Sequence, residues 1–123
     1  MIILTLFTMA KPNPISWEEV TSGYMSGVFE SKVVWYDTTY KELVDTASDN
    51  VVLVFLGRRS TGGFGIKVKE VKTDGKKIYI TAYETCPKPG EMVIQVITSP
   101  FVAIKLDFNK KLPLELKIEE CKK

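Results

Sequence analysis

The distribution of apolar and polar positions divides the chain into short segments of strand length. "MIILTLFTMA" at residues 1–10 is apolar with Ile, Leu, Thr and Phe, and it reads as a first strand rather than a signal peptide. Two prolines in "AKPNPIS" break the pattern. "SWEEV" reads as a short turn of helix, because Ser16 and Glu19 have capping-box spacing. "VFESKVVWY" (28–36) reads as a strand or hairpin arm. "DTTYKELVDTAS" is the one helix that the periodicity predicts. Thr39 and Glu42 form its capping box, and Tyr40, Leu43, Val44 and Ala47 share a face.

From there the chain reads as β-structure. "VVLVFLG" (51–57) is a continuous β-branched run, the pattern of a strand covered on both faces. "GIKVKEVK" and "KIYITAYE" are joined through Asp74-Gly75, a strong hairpin signal. "EMVIQVITS" and "FVAIKLDF" read as two further strands separated by Ser99-Pro100. "LPLELKIEE" alternates, with Leu112, Leu114, Leu116 and Ile118 on one face. The expected fold is mainly β (α+β): an antiparallel β-sandwich or curled sheet of about eight strands with one short helix packed on it. No repeat or low-complexity linker divides residues 1–123, which read as a single β-rich domain.

Composition narrows the chemistry. Hydrophobic residues make up 45% of the 123 residues and charged residues 26%, values of an ordinary globular chain able to bury a core unaided. The net charge of +2 argues against general nucleic-acid binding, which needs a dense basic face. The chain has no histidine, which excludes His-dependent triads and facial-triad iron sites. Cys86 and Cys121 have no ligand-like spacing, so no structural metal site or other cofactor is expected. A bridge between them is open on sequence grounds, and two unpaired thiols are the favoured reading. The apolar N-terminus is too short to span a bilayer. The compartment is not written in the chain.

The densest cluster of candidate chemistry is "LGRRSTGGFG". It holds Arg58 and Arg59, the chain's only arginines, beside Ser60, Thr61, Gly62, Gly63 and Phe64. Its GxxxxG spacing is the start of a phosphate loop. Gly63 and Phe64 stand where Lys and Ser or Thr are needed, however, and a strand follows instead of a helix. The loop therefore reads as a rigid strand connection first and a recognition loop second, with arginine and aromatic anchors. A second loop, "CPKPGEM", is stiffened by Pro87 and Pro89 and turned by Gly90. Cys86 has no histidine to activate it. Glu84 and Glu91 flank this loop, the pair to test for a carboxylate-dependent enzyme. Trp17, Trp35, Tyr36 and Tyr40 read as packing rather than a groove, and the lysines of 66–77 as the wet face of a hairpin.

These two loops carry a resemblance. "FLGRRSTGGFGIKVKEV" and "CPKPGEMVIQVITSPFVAIKL" resemble, in order, the two hallmarks of the family named after the C-terminal part of the protease-complex subunit PrcB. The similarity spans residues 51–106 and rests on Gly57, Thr61, Gly62, Gly63, Phe64, Pro87, Pro89, Gly90 and Pro100. It implies no catalytic residues. It implies a non-catalytic protein-interaction module whose partner is a protein, a protease or envelope complex being the expectation. Family members are often exported or lipid-anchored, and this chain shows no clear export signal. The alternatives are an immunoglobulin-like protease inhibitor and a small carboxylate-dependent enzyme. The absence of histidine and the preference for lysine are also compatible with a heat-adapted source.

Overall fold

The computed structural model describes residues 13–25, 28–44 and 50–121. The expected strand at 1–10 and the second half of the expected helix lie outside the described residues. Among the described residues eight strands follow in order. They are β1 (Asn13–Pro14), β2 (Trp17–Tyr24), β3 (Lys32–Trp35), β4 (Val51–Phe55), β5 (Gly65–Thr73), β6 (Ile78–Thr85), β7 (Pro100–Leu106) and β8 (Leu114–Glu119). They form two four-stranded sheets, ordered β1-β5-β6-β8 and β2-β7-β4-β3, so the sandwich expectation holds.

The core has two compartments. Between the sheets, Val52, Val54, Val102, Ile104 and Leu106 meet Ile66, Val68, Val71, Ile78, Ile80 and Ala82. On the far side of the second sheet, Val51, Leu53, Phe55, Phe101 and Ala103 pack with Val28 and Val44 and with the half-buried Tyr36, Tyr40 and Leu43. Successive residues of a strand point to opposite faces. All five residues of β4 are therefore buried, alternating between the two compartments, as the continuous apolar run predicts. Trp17 and Trp35 pack on the inner core, and Leu112, Leu114, Leu116 and Ile118 pack there from one face of the β8 segment.

Four expectations are corrected. The helix predicted from 37 onward is a 3-10 turn, Thr38–Tyr40, capped by the Asp37 side chain, which accepts from the Thr39 N–H at 2.8 Å. Thr39 is thus not the cap. Adjacent threonines are poor helix formers, and so short a helix gains little by itself. The bonds Tyr40 N–H to Asp37 O and Leu43 N–H to Tyr40 O, at 3.0 and 2.9 Å, bring Tyr40, Leu43 and Val44 onto the sheet without an α-helix.

"SWEEV" is strand, not helix. It pairs along β7 from Trp17 opposite Leu106 to Tyr24 opposite Pro100, a ladder that outweighs a local capping signal. The sandwich is not wholly antiparallel, because β8 runs parallel to β6 with Ile78 opposite Leu114 and Ala82 opposite Ile118. The chain leaves β6, crosses to the other sheet as β7 and returns, so it re-enters beside β6 in the same direction. Finally, "EMVIQVITS" forms no strand. Its one β-type pairing is the isolated bridge of Thr98 with Arg59.

Candidate functional site

The Gly-rich segment leaves β4 at one end of the sandwich. Gly57 has φ +98° and lies with its Cα against the backbone of Glu30 and Ser31, so a side chain has no space there. The N–H of Arg58 donates to Phe29 O at 3.2 Å, and its guanidinium sits 5.2 Å from the centre of the exposed Phe29 ring. Arg59 turns the other way. Its Nε donates to Glu84 Oε2 at 2.7 Å, and that carboxylate keeps only 6% of its surface exposed. The other carboxylate oxygen of Glu84 accepts from the Cys121 N–H at 3.2 Å.

Arg59 and Thr98 exchange backbone hydrogen bonds at 2.7 and 2.8 Å, the Thr98 hydroxyl donates to Thr61 O at 2.8 Å, and Gly62 N–H donates to Ile94 O at 2.8 Å. Ser60 is exposed. Gly63, at φ +90°, is tightly walled: a Cβ there would lie 2.8 Å from both Pro87 and Val93. Phe64 packs against the inner core, and its carbonyl accepts from the Tyr24 hydroxyl at 3.3 Å.

The structure thus brings the two sequence-predicted loops together and divides their residues. Arg59, Gly62, Gly63, Phe64 and Pro87 build the connection. Arg58, Ser60, Gly63, Pro89 and Gly90 are exposed, Thr61, Arg59, Phe64 and Pro87 are half-buried, and Gly62 is buried. Gly90 turns the proline loop at φ +83°, and Glu91 caps it by accepting from the Lys88 N–H at 2.8 Å. Glu84 and Glu91 therefore have separate structural tasks.

The favoured reading of two free thiols is corrected: Cys86 and Cys121 form a disulfide. Once the β8 segment returns beside β6, the residues after it end next to Glu84 and Cys86, a proximity that a separation of 35 positions does not reveal. Ligand atoms of Glu84, Cys86 and Cys121 lie within 4.8 Å of one another, but the two sulfurs are bonded together and the carboxylate is engaged by Arg59.

Sequence reasoning missed the most exposed feature of this end. Among the described residues eight large apolar side chains are exposed, and six of them, Tyr24, Phe29, Met92, Ile94, Val96 and Ile97, belong to segments that meet here. Met92 retains 95% of its surface, Ile94 69% and Ile97 66%, against the near-complete burial usual for such residues. A pocket of about 430 Å³ is lined by Tyr24, Gly62, Gly63 and this segment. The signal was present, since adjacent apolar residues at 92–94 and 96–97 break the alternation of a half-buried strand.

Strands β4 to β7, the two glycine-bearing loops between them and the apolar segment form one continuous stretch of chain. Residues 50–107 match the family model PrcB C-terminal. No curated protein and no solved structure matches the chain. The PrcB C-terminal stretch extends one residue beyond the expected limits at each end. It contains Cys86 but not Cys121, and Arg58 but not Phe29, so two contacts that shape this end join it to the rest of the chain. No helix among the described residues is long and apolar enough to cross a membrane.

Proposed function

We propose that this domain is a non-catalytic protein-interaction module and that the end carrying the Gly-rich loop is its docking face. One observation carries the reading: six of the eight exposed large apolar residues among the described ones gather at this end. Contiguous apolar surface is costly in water and marks contact surfaces. Beneath it lies a rigid support of buried glycine, proline, a disulfide and the Arg59–Glu84 pair, which reduces the entropy lost on binding. Arg58 over Phe29 supplies the arginine and aromatic pairing typical of contact anchors. The family name supports a protease-associated complex as the setting.

The test compares two baits in extract of the source organism, the native domain and a Phe29→Ser/Arg58→Glu variant with unchanged circular dichroism. A defined partner captured by the native bait and lost by the variant is the expected result. Equal capture overturns this placement of the docking face. The inhibitor alternative keeps some support from the sandwich with its rigid end loop. It requires that the partner be a protease and that peptide hydrolysis slow when the domain is added.

A further inference from the structure

Both cysteines of the Cys86–Cys121 disulfide lead into the docking end, by separate routes. Cys86 precedes Pro87, whose ring stands 2.8 Å from where a Cβ on Gly63 would lie. Cys121 reaches the same end through Glu84. Its N–H donates to Glu84 Oε1 at 3.2 Å, and Glu84 Oε2 accepts from Arg59 Nε at 2.7 Å. Arg59 in turn exchanges backbone hydrogen bonds with Thr98, and the Thr98 hydroxyl donates to Thr61 O. Neither cysteine belongs to the two core compartments.

The β6–β8 ladder ends with Tyr83 opposite Glu119. Beyond it, Cys121 is held by the disulfide and by Glu84, whose carboxylate takes its N–H and whose carbonyl oxygen lies 3.2 Å from its sulfur. One such hydrogen bond does not outweigh the freedom that a residue loses on being fixed. The bond to Cys86 therefore keeps the Cys121 N–H on the carboxylate. The Glu84 side chain is only 6% exposed. A carboxylate so buried that loses one of its two donors is driven toward water, and Arg59 moves with it.

We propose that the disulfide is a redox lock on the docking end. Closed, it holds the Gly-rich and proline loops against each other. Reduced, it releases them while the two sheets stay folded. The inference rests on the reading of this end as a docking face and names its regulation. Both cysteines are half-buried, within reach of a reductant from solvent. The reductant is a dithiol. One of its thiolates attacks a sulfur of the pair, the Cys86–Cys121 bond breaks and a mixed disulfide forms. Its second thiolate then displaces the protein sulfur. Two electrons and two protons pass to the cysteines, and the dithiol leaves as a disulfide. The element that such a switch biases is the chain of contacts from Cys121 through Glu84 to Arg59. A purely structural crosslink acts differently, because it restricts the unfolded chain and leaves the folded state as it was.

Backbone amide NMR relaxation of the native protein, oxidised and then reduced with dithiothreitol, tests the proposal, because it reads motion within the folded state. The expected result is that the order parameters of Arg59, Gly62 and Thr98 fall from about 0.85 to below about 0.6 on reduction, while those of Val54, Ile80 and Val102 hold. Reoxidation should restore them. Cys121→Ser should show the reduced pattern without any dithiol, and the reduction of native protein decides the matter where that variant misfolds. Unchanged order at Arg59, Gly62 and Thr98, or a loss spread equally over both sheets, overturns the proposal. The measurement needs no partner, so its outcome is independent of the Phe29/Arg58 capture experiment.

Discussion

Adjacent arginines with identical side chains have unlike tasks here, and the difference is burial. Arg58 lies over Phe29 at the surface. Arg59 neutralises a carboxylate that is 6% exposed. Removing Arg59 strands a buried charge, so Arg59→Ala should cost about 2–3 kcal/mol, at or below the low end for buried pairs because the arginine side is partly wet. Arg58→Ala should change stability by no more than about 0.5 kcal/mol. Urea denaturation of both variants measures the contrast, and equal losses would contradict it.

Glycines separate in the same way. Gly63 and Gly90 both have positive φ, but only Gly63 is walled in, by Pro87 and Val93. Gly90→Ala should cost about 1 kcal/mol for the backbone alone. Gly63→Ala should cost roughly 2–4 kcal/mol, as backbone strain and overpacking add. Thermal melts of the two variants give the order.

At the scale of elements, the β5–β6 hairpin has a titrating latch. Asp74 accepts from the N–H groups of Lys76 and Lys77 at 2.8 and 3.0 Å and from the Tyr79 hydroxyl at 2.8 Å. The two backbone hydrogen bonds, then that of Tyr79, lower its pKa to about 2, and the same contact raises that of Tyr79. A carboxylate with a depressed folded pKa stabilises the fold above its unfolded value near 3.8, and the contribution disappears as pH falls from there to about 2. For Tyr79 the sign is opposite: its contribution is complete below the ordinary phenol value of 10.0 and declines above it. Melting curves of native protein and Asp74→Asn should therefore diverge above pH 4 and converge toward pH 2.

The disulfide joins the proline loop to the residue that follows the β8 segment across 35 positions. Chain entropy alone assigns such a crosslink about 4 kcal/mol. Phosphine reduction should shift the denaturation midpoint down accordingly and expose two thiols. An unchanged midpoint would show that β8 holds without it.

At the scale of the whole molecule, the central strands of the second sheet, β4 and β7, are buried on both faces. Leu53 and Ile80 are both fully buried, one in the outer compartment and one between the sheets. Leu53→Ala and Ile80→Ala should each cost about 2–5 kcal/mol. A much smaller loss at Leu53 would mean that the turn carrying Tyr40, Leu43 and Val44 is only a loose cover.

Much of this was legible in the residues. The continuous run of β4, the Asp74-Gly75 hairpin, the alternation of the β8 segment and the order of the two glycine loops depend on neighbours a few positions apart, so sequence alone determined them. It also set the limits on chemistry, since absent histidine and a missing phosphate-loop lysine need no coordinates. What lies between distant positions only the tertiary structure decided. Capping-box spacing at Ser16 and Thr39 is a local preference of a kcal/mol or so, and pairing along β7 or packing on the second sheet outweighed it. The parallel return of β8, the Cys86–Cys121 bond and the burial of Arg59 against Glu84 follow from one crossover between sheets. The apolar residues of 92–97 look like core in one dimension. They are surface because the segment pairs with the rest of the β-structure at Thr98 alone, which leaves Met92, Ile94, Val96 and Ile97 exposed.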